Sequence, residues 1–110
     1  MTDEHPLLGP KRLQLSAEAR DDLRELEEYL RTERGDQIAT NFLIRLDADL
    51  RSLATSGHPG ASRGSLSPGL RLHVFERFSI YFRLTSDAVR IVHIFRGSRD
   101  LTQIDFSPDE

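Results

Sequence analysis

Hydrophobic and polar residues alternate along three segments between residues 70 and 95, and this alternation predicts β-strands. Strands favour branched and aromatic residues, whose side chains point alternately to the two faces of a sheet. The apolar positions of the first two segments are Leu70, Leu72 and Val74, followed by Phe78, Ile80, Phe82 and Leu84. The third segment, residues 89–95, is apolar on both faces, which predicts a strand that is central or covered on its second face.

Two helices are predicted before these strands, because apolar residues there recur at helical spacing. The first stripe contains Ala19, Leu23, Leu26 and Leu30, and the second contains Ala39, Phe42, Leu43, Leu46, Leu50 and Leu53. Ser16 is a predicted N-cap of the first helix, and Gly35 is predicted to end it. Asp36 follows at once and is predicted to cap the second helix. A turn this short makes the two helices antiparallel neighbours.

Leucine alternates with polar residues at residues 11–15, which predicts a further short strand. The chain is therefore predicted to be an α+β domain with an N-terminal strand, a two-helix antiparallel hairpin and then a three-stranded, mainly antiparallel sheet. Residues 61–69, rich in glycine and serine, are predicted to be a loop. We expect residues 1–10 to be a flexible arm, residues 11–106 to be the single domain, and residues 107–110 to be an acidic tail. The second face of the sheet is expected to be thinly covered.

Composition limits the possible chemistry of the chain. Its 110 residues suffice for one small domain, and the absence of cysteine excludes disulfides, thiolate nucleophiles and cysteine-based metal sites. The four histidines show no ligand spacing, so neither a metal nor a cofactor is expected. No apolar run approaches the ~20 residues that span a bilayer, and no secretion signal is apparent, so we expect no membrane partner and a cytoplasmic location.

The formal net charge is -3, and the charged residues are unevenly distributed along the chain. Residues 1–50 carry seven basic and twelve acidic side chains, whereas residues 51–100 carry eight basic and three acidic ones. The candidate target-binding residues are Arg71, Arg83, Arg96 and Arg99, which are predicted to form a cationic patch on the open face of the sheet. The alternative is a set of surface arginines loosely paired with Glu76, Asp87 and Asp100.

Several short motifs, in their order along the chain, resemble one known family. They are Leu15-Ser16-x-x-Ala19-x-x-Asp22-Leu23, Tyr29 before the Gly35 turn, Ala39-x-x-Phe42, Pro59-Gly60, Gly69-Leu70-Arg71, Ile80-x-Phe82-Arg83 and Ile94-Phe95-Arg96-Gly97-x-Arg99-Asp100. Over residues 13–101 the chain resembles the ParE branch of the ParE/RelE superfamily, the toxins of bacterial toxin–antitoxin pairs.

The resemblance implies a toxin that inhibits DNA gyrase and is neutralised by a cognate ParD-like antitoxin, with which it forms a hetero-oligomer. RelE-like relatives instead cleave mRNA on the ribosome, using basic residues with a tyrosine or histidine near the C-terminus. Here the segment after Asp100 contains no His, Tyr, Lys or Arg, which favours the gyrase inhibitor over the enzyme. If the chain were a nuclease, Tyr81 and His93 would be its possible acid–base pair. A toxin fold that only binds its partner is a third interpretation.

We also expect the antitoxin to bind in two parts. An amphipathic helix would lie against the helical hairpin, and an extended acidic tail would cross the open face of the sheet to reach the arginines. Exposed strand edges and the apolar second face of residues 89–95 motivate this expectation.

Overall fold

The computed structural model describes residues 11–97, 104 and 106. Its elements are β1 (Arg12–Leu15), α1 (Ala17–Arg34), α2 (Asp36–Ser56), β2 (Ala61–Ser62), β3 (Arg71–Phe75), β4 (Phe78–Leu84) and β5 (Ala88–Arg96). The strands form one sheet in the order β1-β5-β4-β3-β2, with β1 parallel to β5 and the other neighbours antiparallel. The predicted α+β class and helical hairpin are confirmed. The predicted arm at residues 1–10 and tail at residues 107–110 lie outside the described residues.

The helices begin and end at small residues. The Ser16 hydroxyl accepts a hydrogen bond from the Ala19 N–H at 3.0 Å and caps α1, as predicted. Gly35, with φ +92°, forms the whole connection between the helices. Asp36 is the first residue of α2 and does not cap it, because Gly35 already occupies the cap position. Gly57 adopts the left-handed conformation and ends α2.

The predicted loop at residues 61–69 contains a two-residue strand, β2, which pairs with β3 at the edge of the sheet. Ala61 and Ser62 have little strand propensity, so the pattern of the sequence gives no sign of this pairing. Gly60 brings the chain close to β3. A Cβ added to Gly60 would lie 2.6 Å from the Leu72 carbonyl oxygen and 2.9 Å from the Phe82 ring.

The main core lies between the helical hairpin and one face of the sheet. Its buried members are Ala19, Phe42, Leu46, Leu50, Leu53, Ala54, Phe78, Ile80, Phe82, Val89, Ile91 and Ile94. Both predicted helical stripes contribute to it, and the β4 and β5 side chains at its centre are fully buried. Helix and sheet therefore hold each other in place through one shared apolar layer.

β5 changes face along its length because it contains a β-bulge. Tyr81 pairs with His93 and Phe82 with Ile91, so Val92 is the extra residue. The β5 residues that face the helices are Val89 and Ile91 before the bulge and Ile94 after it. A strand with apolar residues on both faces was predicted here, and the bulge explains the irregular spacing.

A second, smaller core covers the opposite face of the sheet. It contains Leu70, Tyr81, Val92, Phe95 and Phe106, with Leu72 and Ile104 packed against it. Phe106 is 4% exposed. The expectation of a thinly covered second face is therefore corrected: residues near the C-terminus supply apolar side chains that complete it.

Candidate partner-binding surfaces

Two of the four predicted target-binding arginines lie on opposite faces of the sheet. The two-residue turn at residues 76–77 joins β3 to β4 and pairs Arg71 with Phe82. Directly paired residues share a face, so Arg71 lies on the helix side. Arg83 follows Phe82 and therefore lies on the other side. The predicted patch of four arginines on one face is not formed, and their role in target binding stays a prediction.

Arg83 holds parts of the chain together. Its guanidinium donates to the Pro68 carbonyl at 2.6 Å, to the Ser67 hydroxyl at 2.8 Å and to the Phe106 carbonyl. The Ser67 hydroxyl also donates to the Phe106 carbonyl at 3.3 Å. These bonds join the loop before β3 to Phe106, which covers the second core.

Arg96 lies at the end of β5, on the helix side of the sheet. Its guanidinium carbon is 4.6 Å from the centre of the Tyr29 ring, which is a cation–π contact. Tyr29 projects from α1 and is 40% exposed. Arg99, the fourth predicted residue, lies outside the described residues.

The Tyr29–Arg96 contact borders an open groove of about 760 Å³ at one end of the molecule. The residues that line it are Tyr29, Leu30, Arg34, Ile38, Phe42, Arg45, Glu76, Arg77, Phe78 and Arg96, and we call it the basic groove. Its floor is aromatic, since the Phe42 and Phe78 rings lie 4.9 Å apart. Ile38 is 51% exposed, so part of the apolar wall of the groove faces solvent.

The basic groove carries more positive than negative charge. Arg45 donates to the Glu76 carboxylate at 3.0 Å, so the one acidic residue in the lining is already paired. Arg34, Arg77 and Arg96 form no ion pair with any carboxylate in the described part of the chain. The groove can therefore bind acidic groups together with an apolar side chain.

The topology brings these residues together. α1 ends and α2 begins at this end of the molecule, where the β3–β4 turn and the end of β5 also lie. Arg34, Arg77 and Ile38 were not among the residues selected from the sequence. All three lie in a turn or near the end of a helix. The alternation of apolar and polar residues along strands does not identify such positions.

A second groove, of about 510 Å³, runs between β1 and the helical hairpin. Its lining contains Leu13, Gln14, Leu15, Arg20, Leu23, Leu43, Leu46, Asp47, Leu50, Arg51 and Arg90, and we call it the leucine groove. Arg51 is paired with Asp47 at 2.9 Å. Leucine supplies the apolar side chains of the leucine groove, whereas those of the basic groove are partly aromatic. The leucine groove adjoins the outer edge of the sheet.

Tyr81 and His93, the possible acid–base pair, are paired across β4 and β5. Tyr81 is 5% exposed and its ring centre lies 5.1 Å from that of Phe106. The His93 ring stacks on Phe95 at 4.8 Å, and its Nδ1 lies 2.9 Å from the Asp22 carboxylate. Tyr81 therefore packs inside the second core, and His93 packs at its border.

Asp87 and Arg31 have perturbed pKa values, and neither residue lines one of the two grooves. The Arg12 guanidinium donates a hydrogen bond to Asp87 and, with the Thr85 hydroxyl, lowers the pKa of the Asp87 carboxyl. A hydrogen bond to Glu27 raises the pKa of Arg31.

Within residues 11–97, 104 and 106, no three His, Asp or Glu side chains are arranged to hold a metal ion. None of the helices in this part of the chain is long and apolar enough to cross a membrane.

Comparison with known proteins agrees with this fold. A solved structure described as "Chromosomal ParDE TA system from P. aeruginosa" matches with a TM-score of 0.69 and 24% identity. The match covers 80% of this chain and 97% of that one, and at this identity it shows the fold. A search of curated proteins found no significant match.

A family model described as "ParE toxin of type II toxin-antitoxin system, parDE" matches residues 13–101, which is most of the chain. The matched region includes both helices and every strand of the structure apart from Arg12, the first residue of β1. The chain therefore belongs to the ParE family, the toxins of type II toxin–antitoxin systems.

Proposed function

We propose that this toxin inhibits DNA gyrase and is neutralised by a ParD-like antitoxin, with which it forms a hetero-oligomer. Membership of the ParE family supports the toxin role. The observation that carries the choice of target is the basic groove, which is open, rich in arginine and lined by no histidine. Such a surface suits binding to an acidic protein partner. The proposal implies action in the cytoplasm, where gyrase acts on the chromosome.

The runner-up function, cleavage of ribosome-bound mRNA, would assign acid–base chemistry to Tyr81 and His93. A general acid or base must come within hydrogen-bond reach of the proton that it transfers. Tyr81 is buried beneath Phe106, and the His93 Nδ1 is already bonded to Asp22. This burial favours gyrase inhibition over RNA cleavage.

For the antitoxin, we propose that an amphipathic helix binds in the leucine groove. Leu13, Leu15 and Leu43 are partly exposed there. Burying them contributes about 25 cal/mol per Å² of apolar surface removed from water, against the entropy cost of association. β1 is an edge strand of the sheet, so its outer backbone groups can also bind an extended segment. The expected crossing of the second face is revised, because Phe106 already covers that face.

A plasmid supercoiling assay tests the proposed target. Purified toxin is added to gyrase, ATP and relaxed plasmid, and in parallel to ribosomes programmed with a defined mRNA. We expect supercoiling to fall with toxin concentration while the mRNA stays intact. Prior mixing with the cognate antitoxin should restore supercoiling, because the bound toxin is no longer free. Cleaved mRNA together with unchanged supercoiling would show the runner-up function to be the right one.

A further inference from the structure

We propose that the basic groove binds an acidic segment of the target protein, and that this segment inserts a large apolar side chain against Tyr29 and Ile38. The inference rests on the proposed function, in which the target is gyrase. It adds the surface that makes the contact and the chemistry of the segment that it recognises.

The basic groove concentrates unpaired positive charge. The whole chain carries a formal net charge of -3, yet Arg34, Arg77 and Arg96 border one groove without an ion pair to any described carboxylate. Positive charge concentrated on an acidic protein attracts an acidic partner and orients it during the encounter. The occupant must therefore bring anionic groups, and in a protein target these are carboxylates.

The contact between Arg96 and Tyr29 prepares one of these arginines for binding. The guanidinium lies over the ring, 4.6 Å from its centre, and makes no hydrogen bond to any described residue. Stacking fixes the plane of the guanidinium and leaves its edge N–H groups available. A carboxylate can then accept two parallel hydrogen bonds from Arg96, the geometry that gives the strongest pairs.

The basic groove also has an exposed apolar wall. Tyr29 is 40% exposed and Ile38 is 51% exposed, and both border the groove above the Phe42 and Phe78 rings. An occupant with carboxylates alone would leave this surface in water. A segment that also carries a leucine, phenylalanine or similar side chain would bury it, which adds binding free energy in proportion to the apolar area.

The contrast with the leucine groove favours the target over the antitoxin as occupant. In the leucine groove Arg51 is paired with Asp47, and the wall consists largely of leucine, which suits an apolar helix that stays bound. The basic groove has three arginines free of ion pairs within the described residues, and its apolar side chains are partly aromatic. Unpaired surface charge raises the association rate and orients the partner, and it has less effect on the lifetime of the complex. This suits a partner that is found by diffusion.

The test compares two double charge reversals. Arg77→Glu with Arg96→Glu changes the basic groove, and Arg24→Glu with Arg63→Glu makes the same change of charge outside both grooves. Ile38→Ser tests the apolar wall separately. Each protein is first checked for an unchanged melting temperature, and its Kd is then measured for purified gyrase and for the cognate antitoxin.

We expect the groove double variant to bind gyrase at least about 10-fold more weakly, the loss expected from one charge-assisted hydrogen bond. Ile38→Ser should weaken gyrase binding as well, and the control pair should change neither Kd. The antitoxin Kd should stay the same in all three variants. Unchanged gyrase affinity in the groove variants, or an equal loss of antitoxin affinity, would overturn the inference. If the wild-type toxin does not bind gyrase at all, the proposed function fails instead.

Discussion

The Asp22 carboxylate accepts a hydrogen bond from the backbone N–H of Ile94 at 2.9 Å, and so α1 takes the place of a strand beside β5. β1 pairs with β5 only as far as Ile91. Beyond that point the Ser16 hydroxyl donates to the Val92 carbonyl at 2.8 Å, and the Asp22 carboxylate then accepts from the Ile94 N–H. The start of α1 thus satisfies backbone groups that β1 is too short to reach.

Removing this carboxylate should destabilise the fold. Asp22→Ala leaves the Ile94 N–H without its acceptor and His93 without its partner, which should lower the free energy of unfolding by about 1–3 kcal/mol. Urea denaturation measures the loss. Asp21→Ala is the control and should cost no more than about 0.5 kcal/mol, because among the described residues Asp21 forms only an exposed pair with Arg24. Equal losses in both variants would contradict the role given to Asp22.

Much of the fold could be predicted from the sequence, because helical stripes, the Ser16 cap and the Gly35 turn are local signals. The faces of the strands could not, since they depend on how the strands pair. The two-residue turn at residues 76–77 pairs odd-numbered positions of β3 with even-numbered positions of β4. Arg71 and Arg83 have the same parity and therefore lie on opposite faces. The bulge at Val92 then shifts β5 by one residue, which alternation cannot locate.

The candidate site was predicted less well than the fold for the same reason. Arg96 could be selected from the sequence because it ends an obvious strand. Its neighbours in the basic groove come from the ends of α1 and α2 and from the β3–β4 turn, and only the tertiary structure brings them to one place. Phe106 shows the same limit, since no local pattern indicates which surface a single aromatic residue near the C-terminus will cover.

Gly60 should tolerate substitution poorly. Its φ of +64° costs an alanine about 1–2 kcal/mol, and the added Cβ would also lie 2.6 Å from the Leu72 carbonyl oxygen. Gly97 has a similar φ of +67°, but no described residue lies within 4 Å of its Cβ position. We therefore expect Gly60→Ala to lower the melting temperature clearly more than Gly97→Ala. Similar shifts would mean that the close approach to β3 relaxes without cost.

Phe106 should contribute strongly to stability despite its place near the C-terminus. Phe106→Ala empties the centre of the second core and should cost about 3 kcal/mol or more, the usual loss for a buried phenylalanine. Val74→Ala is the control, because Val74 is 60% exposed. Chemical denaturation of both variants checks this, and a loss as small as that of the control would show that the second face does not need its cover.

The pKa of Asp87 should depend on Arg12. The hydrogen bond from the Arg12 guanidinium is the largest cause that lowers the pKa of Asp87, so Arg12→Ala should raise that pKa toward its ordinary value. Because the folded state has the lower pKa, any stability from this pair is present above the unfolded pKa and is lost as the pH falls through the folded one. Carboxyl carbon chemical shifts measured by NMR from pH 2 to 7 report the change.

Arg24→Ala is the control for this titration, because Arg24 pairs with Asp21 and lies away from Asp87. The pKa of Asp87 should not move in that variant. Both Arg12 and Asp87 are 66% exposed, so the overall stability near neutral pH should change little. An Asp87 pKa that is the same with and without Arg12 would show that the pair does not persist in solution.

Formation of gyrase–DNA cleavage complexes tests the central claim most directly. Gyrase, plasmid and ATP are incubated with increasing wild-type toxin, the reaction is stopped with detergent and protease, and linear DNA is quantified. We expect linear DNA to rise with toxin concentration, to fall to background when antitoxin is added first, and to rise much less with Arg77→Glu/Arg96→Glu. Background levels of linear DNA at a large molar excess of folded wild-type toxin, with supercoiling unchanged, would contradict the account.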